Sequence, residues 1–347
     1  MALYRFTCDY EEGCFPEILN LMEETNYVQT PGYGTDGYCD KAREMIRDFC
    51  SSKDADVHFL VGGTQTNLTV ISAFLRPWQG VLSAHTGHIN VHETGAIEAT
   101  GHKVLALESP DGKVSAQALK AALDAHFGDP HSEHTVHPGM LYISFPTENG
   151  QLYSLSELTE LSRICREAGI PLYLDGARMS YGLTSSACDV SASDIARLCD
   201  AFYIGGTKCG ALFGEALVIT NDALKKDFRY MIKQRGGMMA KGRLLGIQFL
   251  GLMTDGRYLT AAAKANRQAQ RIRAAFEQKG IPFMIPSPTN QQFPVLTDGQ
   301  LAALAPSFSW DFWEKMPDGR NAVRFCTSWA TKDEAVEALV SAVQELD

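Results

Sequence analysis

Two stretches of this chain decide its fold: Ile170-Pro-Leu-Tyr-Leu-Asp175 and Ala201-Phe-Tyr-Ile-Gly205-Gly-Thr-Lys208. Each is a short, continuously apolar strand that runs into a polar residue, and a predicted helix precedes each of them. Strands of this kind, alternating with helices, form a mainly parallel sheet that helices cover on both faces. Ligands in such folds bind at the carboxyl ends of the strands, so we expect Asp175 and Lys208 at a binding site.

The alternation of strand and helix continues on both sides of these stretches. Val57-His-Phe-Leu-Val-Gly-Gly63 is a strand that ends in glycines, and a helix with Thr64 at its N-cap is predicted to follow. Ser154-Leu-Ser-Glu157 is a capping box that begins another helix, and Gly169 ends it. Further strands are predicted at residues 103–108 and 140–145, and a further helix at 195–199. The fold class is therefore α/β.

The character of the sequence changes near residue 255. Beyond it we predict a long polar helix over residues 261–279, a proline-rich connection, a strand at 322–326 and a final helix from Lys332. We therefore expect a large domain over residues 21–255 and a smaller α/β domain over residues 256–347. Residues 1–20 are expected to form an N-terminal segment that packs near the small domain and the binding site.

The composition excludes several classes of protein. Of 347 residues, 45% are hydrophobic and 21% are charged, which suits a folded core and not a disordered or fibrous chain. The net charge is −10 and basic residues do not cluster, so we expect neither a nucleic-acid nor a membrane partner. The nine cysteines include no Cys-x-x-Cys pair, which predicts reduced thiols and no metal site. No signal peptide or membrane span is recognisable, which favours a cytoplasmic location.

A lysine and a carboxylate at the ends of strands suit one cofactor in particular. Pyridoxal phosphate needs a lysine that forms a Schiff base with its aldehyde and an acid that keeps its pyridine nitrogen protonated. It also needs a phosphate site, and Gly62-Gly63-Thr64 at a predicted helix N-terminus offers backbone N–H groups, a hydroxyl and the positive end of the helix dipole. Each feature alone also suits a tight turn, a helix cap or a solvated lysine. Together they predict a pyridoxal-phosphate site.

A series of short motifs follows along the chain: Gly63-Thr-Gln65 with Asn67, Gly87-His88, Glu93-Thr-Gly-Ala96, Pro146-Thr-Glu-Asn-Gly150, Leu174-Asp-Gly-Ala-Arg178 and Thr207-Lys208. In this order they resemble the motifs of the low-specificity L-threonine aldolases, and the resemblance extends from about residue 6 to residue 324. That family belongs to the fold-type I pyridoxal-phosphate enzymes, in the aldolase and β-eliminating lyase group. The resemblance implies a large domain with a mainly parallel sheet flanked by helices, plus a smaller C-terminal α/β domain.

The resemblance also implies which residues bind the cofactor. Lys208 would bind it covalently, Asp175 would pair with its pyridinium nitrogen, and His88 would stack over its ring. The other cofactor-binding residues would be Gly63, Thr64, Arg178, Thr207 and, for the phosphate, either Arg235 or Lys241.

Further residues would act on the substrate. Arg178 and Arg324 would bind its carboxylate, since a planar guanidinium suits that group, although a buried structural salt bridge is the alternative for both. Cys8 stands where the family has a serine near this carboxylate. Glu148, where many members have a histidine, would take the proton of the substrate hydroxyl, with His88 as the alternative base.

The implied reaction splits a β-hydroxy-α-amino acid, such as L-threonine, L-allo-threonine or an aryl serine, into glycine and an aldehyde. The alternatives are a β-eliminating lyase or an aminotransferase on the same fold, and a catalytically silent binding protein. The segment Gly32-Tyr-Gly-Thr-Asp36 resembles a loop whose tyrosine reaches the active site of a neighbouring subunit, so Tyr33 is a further substrate-site candidate. The expected partners are therefore an amino acid substrate and further copies of the chain, in a homodimer or homotetramer with shared active sites.

Overall fold

The computed structural model of the chain describes residues 3–346, so the first two positions and the last position of the predicted domains lie outside the described residues. The strands are β1 (Tyr4–Arg5), β2 (Asp56–Leu60), β3 (Gln79–Ala84), β4 (Val104–Leu107), β5 (His137–Ser144), β6 (Leu172–Asp175), β7 (Ala201–Gly205), β8 (Glu215–Ile219), β9 (Gln291–Gln292), β10 (Val295–Leu296), β11 (Phe308–Ser309), β12 (Asp311–Lys315) and β13 (Asn321–Cys326).

The helices are α1 (Pro16–Glu24), α2 (Gly37–Phe49), α3 (Gly63–Phe74), α4 (His88–Val91), α5 (Ala116–Phe127), α6 (Leu155–Ala168), α7 (Met179–Leu183), α8 (Ala192–Leu198), α9 (Phe228–Gln234), α10 (Arg243–Met253), α11 (Arg257–Gln278), α12 (Asp298–Leu304) and α13 (Asp333–Gln344). Single 3-10 turns occur at Glu98–Thr100, Ser132–His134, Thr207–Cys209, Asp222–Leu224 and Thr254–Gly256.

The central sheet has seven strands in the order β2-β8-β7-β6-β5-β3-β4. Strand β8 is antiparallel to both of its neighbours, and the other strands run parallel to one another. Successive side chains of a strand point to opposite faces, so Phe202 and Ile204 belong to one apolar cluster while Tyr203 belongs to the other. Helices cover both clusters, which confirms the predicted α/β fold with a mainly parallel sheet.

Two glycines let the strand ends of β6 and β7 approach each other closely. A Cβ atom on Gly176 would lie 2.0 Å from the carbonyl oxygen of Tyr203, and one on Gly205 would lie 2.3 Å from that of Ala177. Only a residue without a side chain fits either position. The close approach brings Asp175, the last residue of β6, and Lys208, which follows β7, to the same edge of the sheet.

The C-terminal part of the chain has a sheet of its own. Strands β10, β13 and β12 are antiparallel, and β9 also pairs with β13. The N-terminal strand β1 pairs in parallel with β11, and a third apolar cluster joins Phe6 to Phe276 and Phe325. The predicted boundary near residue 255 falls in the 3-10 turn before α11, and the division into domains stays a prediction.

The local predictions differ from the structure mainly at helix starts. The prediction of Thr64 as an N-cap is wrong: the N-cap of α3 is Gly62, and Thr64 lies in the first turn. Helix α8 begins before residue 195 because Ser191 and Asp194 form a capping box that the sequence reading missed. The predicted capping box at Ser154 is present, and Gly169 ends α6 with a φ of 68°.

Two global features complete the description. All nine cysteines are free thiols, as their spacing predicted. Among residues 3–346, no helix has both the length and the apolar character needed to cross a membrane.

Candidate active site

A cavity of about 310 Å³ opens where β5, β6 and β7 end. Asp175 ends β6 in register with Ser144 at the end of β5, and Lys208 follows β7 in a 3-10 turn. Most of the residues that the sequence predicted line this cavity: Gly63, Thr64, His88, Glu148, Asp175, Arg178, Thr207 and Lys208. An adjoining cavity shares His88, Glu148, Arg178 and Lys208 with it and is lined by Arg324 as well.

Asp175 is a buried carboxylate that four donors surround. The Tyr142 hydroxyl donates to Oδ2 at 2.7 Å and the Asn67 amide donates to the same oxygen at 3.0 Å. Oδ1 accepts from the Tyr203 hydroxyl and from the Ala177 N–H group. Burial opposes ionisation, but His88 and these hydroxyls hold the pKa of Asp175 below its ordinary value. The arrangement keeps a negative charge at the base of the cavity.

Lys208 is a partly buried amine with its side chain in the same cavity. Burial and the nearby Arg178 guanidinium lower the pKa of Lys208, which favours a neutral, nucleophilic nitrogen. The Lys208 Nζ atom lies 5.9 Å from the ring centroid of Tyr10. Thr207, beside the lysine, donates its hydroxyl proton to Glu215 at 2.9 Å, so this donor is already engaged.

The start of helix α3 provides an anion site. Its N-cap, Gly62, has no side chain to cap the helix, so the first N–H groups of the helix lack a side-chain acceptor. Gly62 has open space around the position of a Cβ atom, whereas one on Gly63 would lie 3.0 Å from the Tyr203 hydroxyl. Free N–H groups, the Thr64 hydroxyl and the helix dipole all face the same cavity.

Glu148 presents one free carboxylate oxygen to the cavity. Its Oε1 atom accepts hydrogen bonds from the Ser144 hydroxyl at 2.7 Å and from the His88 N–H group at 2.9 Å. No residue between positions 3 and 346 donates to Oε2. Burial raises the pKa of Glu148 above its ordinary value, so the group can exchange a proton closer to neutral pH.

The imidazole of His88 is oriented by a buried acid. The His88 Nδ1 atom lies 2.7 Å from Glu93 Oε1, which also accepts from the Asn67 amide at 2.8 Å. Because Glu93 is an acceptor, the ring nitrogen that faces it carries the proton. Asn67 thus connects the histidine to Asp175, the other acid to which it donates.

Both predicted carboxylate-binding arginines already have acidic partners. Arg178 donates from Nε and Nη2 to the two oxygens of Asp9, at 2.7 and 2.9 Å, and Asp9 is fully buried. Arg324 donates from Nη2 to Asp311 at 2.9 Å, while its buried Nε atom has no hydrogen-bond partner. The salt bridges that the sequence left open as alternatives are therefore present. Among residues 3–346, Arg178 Nη1 and the buried Arg324 Nε are the nitrogens of these two guanidinium groups without an acceptor.

Four predicted residues line neither of these two cavities: Cys8, Tyr33, Arg235 and Lys241. Cys8 is partly exposed, and both of its neighbours in the chain contact an arginine. The Thr7 carbonyl accepts from Arg324, and the Asp9 carboxylate accepts from Arg178. The Cys8 thiol is held protonated because burial raises its pKa.

Tyr33 and Lys241 are exposed, and Arg235 is half-buried. Tyr33 has a φ of 60° and is 47% exposed, and its N–H group donates to the Ala240 carbonyl, which places Lys241 beside the loop. Arg235 is connected to the first turn of α3, since its carbonyl accepts from the Gln65 amide at 3.1 Å. The Arg235 Nε atom is buried without a partner.

Sequence reasoning missed several residues of the site. The clearest cases are Tyr10 and Glu215, which line the cavity, and Asp9, which accepts from Arg178. Glu215 had a recognisable signal: it is an acid at the head of the apolar run Glu-Ala-Leu-Val-Ile219. Asp9 and Tyr10 had none, because their positions depend on β1 pairing with a strand about 300 residues away in the sequence.

The residues present fit pyridoxal phosphate. The uncapped N-terminus of α3 offers donors for a phosphate, Asp175 offers a charge for a pyridinium nitrogen, and Lys208 offers an amine. All three face one cavity, and the guanidinium of Arg178 lies in it as well. The donor set therefore matches an anionic, aldehyde-bearing cofactor with a basic ring nitrogen.

Comparisons with known proteins agree with this reading. A family model described as beta-eliminating lyase matches residues 14–298. A low specificity L-threonine aldolase of Pseudomonas sp. (strain NCIMB 10558) is 30% identical over 347 residues, which cover 98% of this chain and 97% of that protein. A solved structure of Leishmania major threonine aldolase has a TM-score of 0.95 and 47% identity, with 98% of each chain covered. A Thermus thermophilus aspartate aminotransferase shares the fold alone, at a TM-score of 0.73 and 14% identity.

The fold and the site define a pyridoxal-phosphate-dependent enzyme of fold type I. Within that class the chain belongs to the beta-eliminating lyase family, and it is similar to low specificity L-threonine aldolases.

Proposed function

We propose that this enzyme cleaves a β-hydroxy-α-amino acid, such as threonine, allo-threonine or an aryl serine, into glycine and an aldehyde. The observation that carries the proposal is the free Oε2 atom of Glu148, a raised-pKa carboxylate in the cavity that also holds Lys208 and Asp175. Aldol cleavage needs a base for a hydroxyl proton in addition to the groups that every enzyme of this class has. The relatives named as threonine aldolases support the same reaction.

The cofactor would be held at three points. Lys208 would bond to it, Asp175 would pair with its ring nitrogen, and Gly63 and Thr64 would donate to its phosphate. When bound, pyridoxal phosphate withdraws the electrons of a bond at the substrate Cα atom into its ring. His88, whose Nδ1 atom contacts Glu93, would cover one face of the ring.

The protein then orients the substrate and moves one proton. The Arg178 and Arg324 guanidinium groups bind the carboxylate through the donors that Asp9 and Asp311 leave free, near Cys8. Glu148 Oε2 accepts the proton of the β-hydroxyl, which starts cleavage of the Cα–Cβ bond. Its Oε1 atom stays fixed by Ser144 and the His88 N–H group, so the carboxylate keeps its orientation during the transfer.

Product analysis tests the reaction. Purified protein loaded with cofactor is given threonine, allo-threonine, an aryl serine and, separately, serine, and the products are identified by chromatography. We expect equal amounts of glycine and aldehyde from the β-hydroxy substrates. A 2-oxo acid with ammonia would identify a β-eliminating lyase, amino transfer to an added 2-oxo acid would identify an aminotransferase, and no turnover would identify a binding protein. Each of these results would overturn the proposal.

Borohydride reduction tests the role of Lys208. The loaded protein should have a visible absorption band that reduction removes, and mass spectrometry should find the cofactor on Lys208. A Lys208→Ala variant should show neither effect. Attachment to a different lysine would contradict the assignment.

We further propose a homodimer or larger assembly in which Tyr33 acts at the site of a neighbouring copy. Tyr33 and Lys241 lie together on the surface and neither lines the cavity of their own chain, which supports a role across an interface. Arg235, tied to Gln65, is then the better candidate for the phosphate of its own chain. The nine free thiols support a reducing, cytoplasmic location.

Mixing two inactive variants tests the shared site. A dimer of one Lys208→Ala chain and one Tyr33→Ala chain has one intact site only if Tyr33 serves its neighbour. Random re-association should then restore about a quarter of the wild-type activity, because half of the dimers are mixed and each has one working site. A mixture of Lys208→Ala with Asp175→Asn is the control, since neither site of that mixed dimer is intact. No recovery in the first mixture would place Tyr33 outside the neighbouring site.

A further inference from the structure

Glu215 is a buried acid in the active-site cavity that the proposed reaction does not use. It is the first residue of β8, opposite Gly205 of β7, and only 3% of its surface is exposed. Its side chain lines the same cavity as Lys208. A buried carboxyl group is costly unless it is neutral or a positive charge compensates it. Its presence beside the reactive lysine therefore requires an explanation.

The direct partners of Glu215 do not supply a positive charge. Its Oε2 atom accepts from the Gly206 N–H group at 3.1 Å, and its Oε1 atom accepts from the Thr207 hydroxyl at 2.9 Å. Both donors are neutral, and both belong to the turn that presents Lys208. These bonds fix the carboxyl group beside the lysine without balancing its charge.

Of the three acids that face Lys208, Asp9 has a cation of its own, whereas Asp175 and Glu215 accept from neutral donors, and the donors of Glu215 belong to the turn that carries Lys208. Asp9 forms a two-point ion pair with Arg178, and Asp175 is surrounded by four donors at the place of the ring nitrogen. Lys208 in turn has no ion pair with any residue in the range 3–346. The other titratable groups that face Glu215 are the acid of Asp175, the phenols of Tyr173, Tyr203 and Tyr258, and the thiol of Cys209.

We propose that Glu215 and Lys208 hold one proton between them, and that Glu215 is a positioning residue that sets when the lysine nitrogen is neutral. In the exchange an N–H bond of the Lys208 ammonium breaks and an O–H bond of the Glu215 carboxyl forms, within the cavity that both side chains line. The pair has no net charge before or after the transfer, so the buried cavity never gains an uncompensated charge. The inference rests on the proposed role of Lys208, because a lysine has to lose its proton before its nitrogen can react as a nucleophile.

The pKa values of the two groups are displaced toward each other. Burial raises the pKa of Glu215 to about 8, against the opposing effects of the Thr207 hydrogen bond and the Lys208 charge. Burial and Arg178 lower the pKa of Lys208, while Asp9, Asp175 and Glu215 oppose that change. Two groups with converging pKa values exchange a proton at little cost, and they titrate as a pair.

Trace labelling of the lysine tests the pair without cofactor or substrate. Cofactor-free protein is exposed to a small amount of acetic anhydride from pH 6 to pH 10, and mass spectrometry gives the labelling rate of Lys208, since only the neutral amine reacts. In Glu215→Gln the ammonium has lost its counter-charge. We therefore expect the labelling rate at neutral pH to rise about tenfold or more and its pH midpoint to fall. In the loaded protein the pH dependence of the visible band should move in the same direction.

Two further variants make the test specific. Glu215→Asp keeps the charge and should label close to the wild-type profile. Glu93→Gln removes a different buried acid, one paired with His88, and should leave the Lys208 midpoint in place. If Glu215→Gln does not fold, the apolar Glu215→Met is labelled in its stead, because apolar replacements of buried ions are often well tolerated.

The outcomes separate this inference from the proposed function. A folded Glu215→Gln or Glu215→Met protein with the wild-type midpoint would overturn the proton-sharing pair, whatever reaction the enzyme catalyses. A shifted midpoint together with cofactor attachment at another lysine would leave the pair standing and overturn the proposed function.

Discussion

Replacement of Glu148 by glutamine removes the proposed base with little change of shape. The amide oxygen can still accept from Ser144 and from the His88 N–H group, which lie 2.7 and 2.9 Å from Oε1 in the wild type. What is lost is the proton-accepting oxygen that faces the cavity. Loss of a general base slows a reaction about 100- to 10,000-fold. The barrier to turnover should therefore rise by about 3 to 5 kcal/mol.

The raised pKa of Glu148 also predicts how turnover depends on pH. Glu148 acts as a base only when ionised, so turnover rises with pH through the Glu148 pKa. Burial raises that pKa, so the acidic limb should lie at higher pH than an exposed glutamate would give. Ser144→Ala removes a hydrogen bond that lowers the pKa of Glu148, and should therefore move the limb to still higher pH.

The assay follows aldehyde release from threonine or an aryl serine as a function of pH, with cofactor content measured by the visible band. We expect Glu148→Gln to bind cofactor normally and to lack the acidic limb of the wild type. Near-normal turnover with an unchanged limb would refute the reasoning. The proton would then pass to His88 or to water, and Glu148 would only hold the loop.

Three further predictions follow from other contacts. Asp175→Asn should retain cofactor but lose most turnover, as a neutral amide cannot hold the ring nitrogen protonated; normal turnover would make Asp175 structural. Asp9→Asn leaves Arg178 as a buried unpaired cation and should lower the free energy of unfolding in urea by about 3–5 kcal/mol. Burial opposes ionisation of Asp9, but Arg178 lowers the Asp9 pKa below its unfolded-state value. The ion pair therefore stabilises the fold above the unfolded-state pKa, and this stabilisation is lost as the pH falls through the folded-state pKa. Equal acid sensitivity of the wild type and the variant would contradict this prediction. Gly205→Ala, with a Cβ atom 2.3 Å from a backbone oxygen, should abolish the native circular-dichroism melt, whereas Gly37→Ala, with nothing within 4 Å, should preserve it.

The parts of the site that the sequence predicted are those that topology brings together. Asp175 and Lys208 follow neighbouring parallel strands, and the carboxyl ends of such strands meet at one edge of a sheet. The glycine turn at α3 was recognisable because a helix N-terminus binds anions through its backbone, whichever residue caps it. The predicted N-cap of α3 was wrong: the Thr64 hydroxyl suits a cap, but Gly62 occupies the N-cap position.

The parts that the sequence did not predict depend on long-range pairing or on burial. Asp9 reaches Arg178 because β1 pairs with β11 beside the C-terminal sheet, and no local pattern encodes that contact. Arg324 was expected to face a substrate, and the pairing of β12 with β13 also places Asp311 against it. The family resemblance pointed to the two arginines, but it did not identify the acids that share them.

The chemistry of four acids in this region differs because their partners differ. Asp175 accepts four hydrogen bonds and has a lowered pKa, so it is suited to remain charged under a ring nitrogen. Asp9 is neutralised by an arginine and is suited to structure and to orienting that arginine. Among residues 3–346, Glu148 has two donors on one oxygen and none on the other, and its raised pKa suits an acid that gains and loses a proton in each turnover. Glu215 has only neutral donors and a lysine nearby, so its proton is shared with that lysine. The residue type alone does not distinguish these tasks, because donor count and neighbouring charge determine which acids titrate near neutral pH.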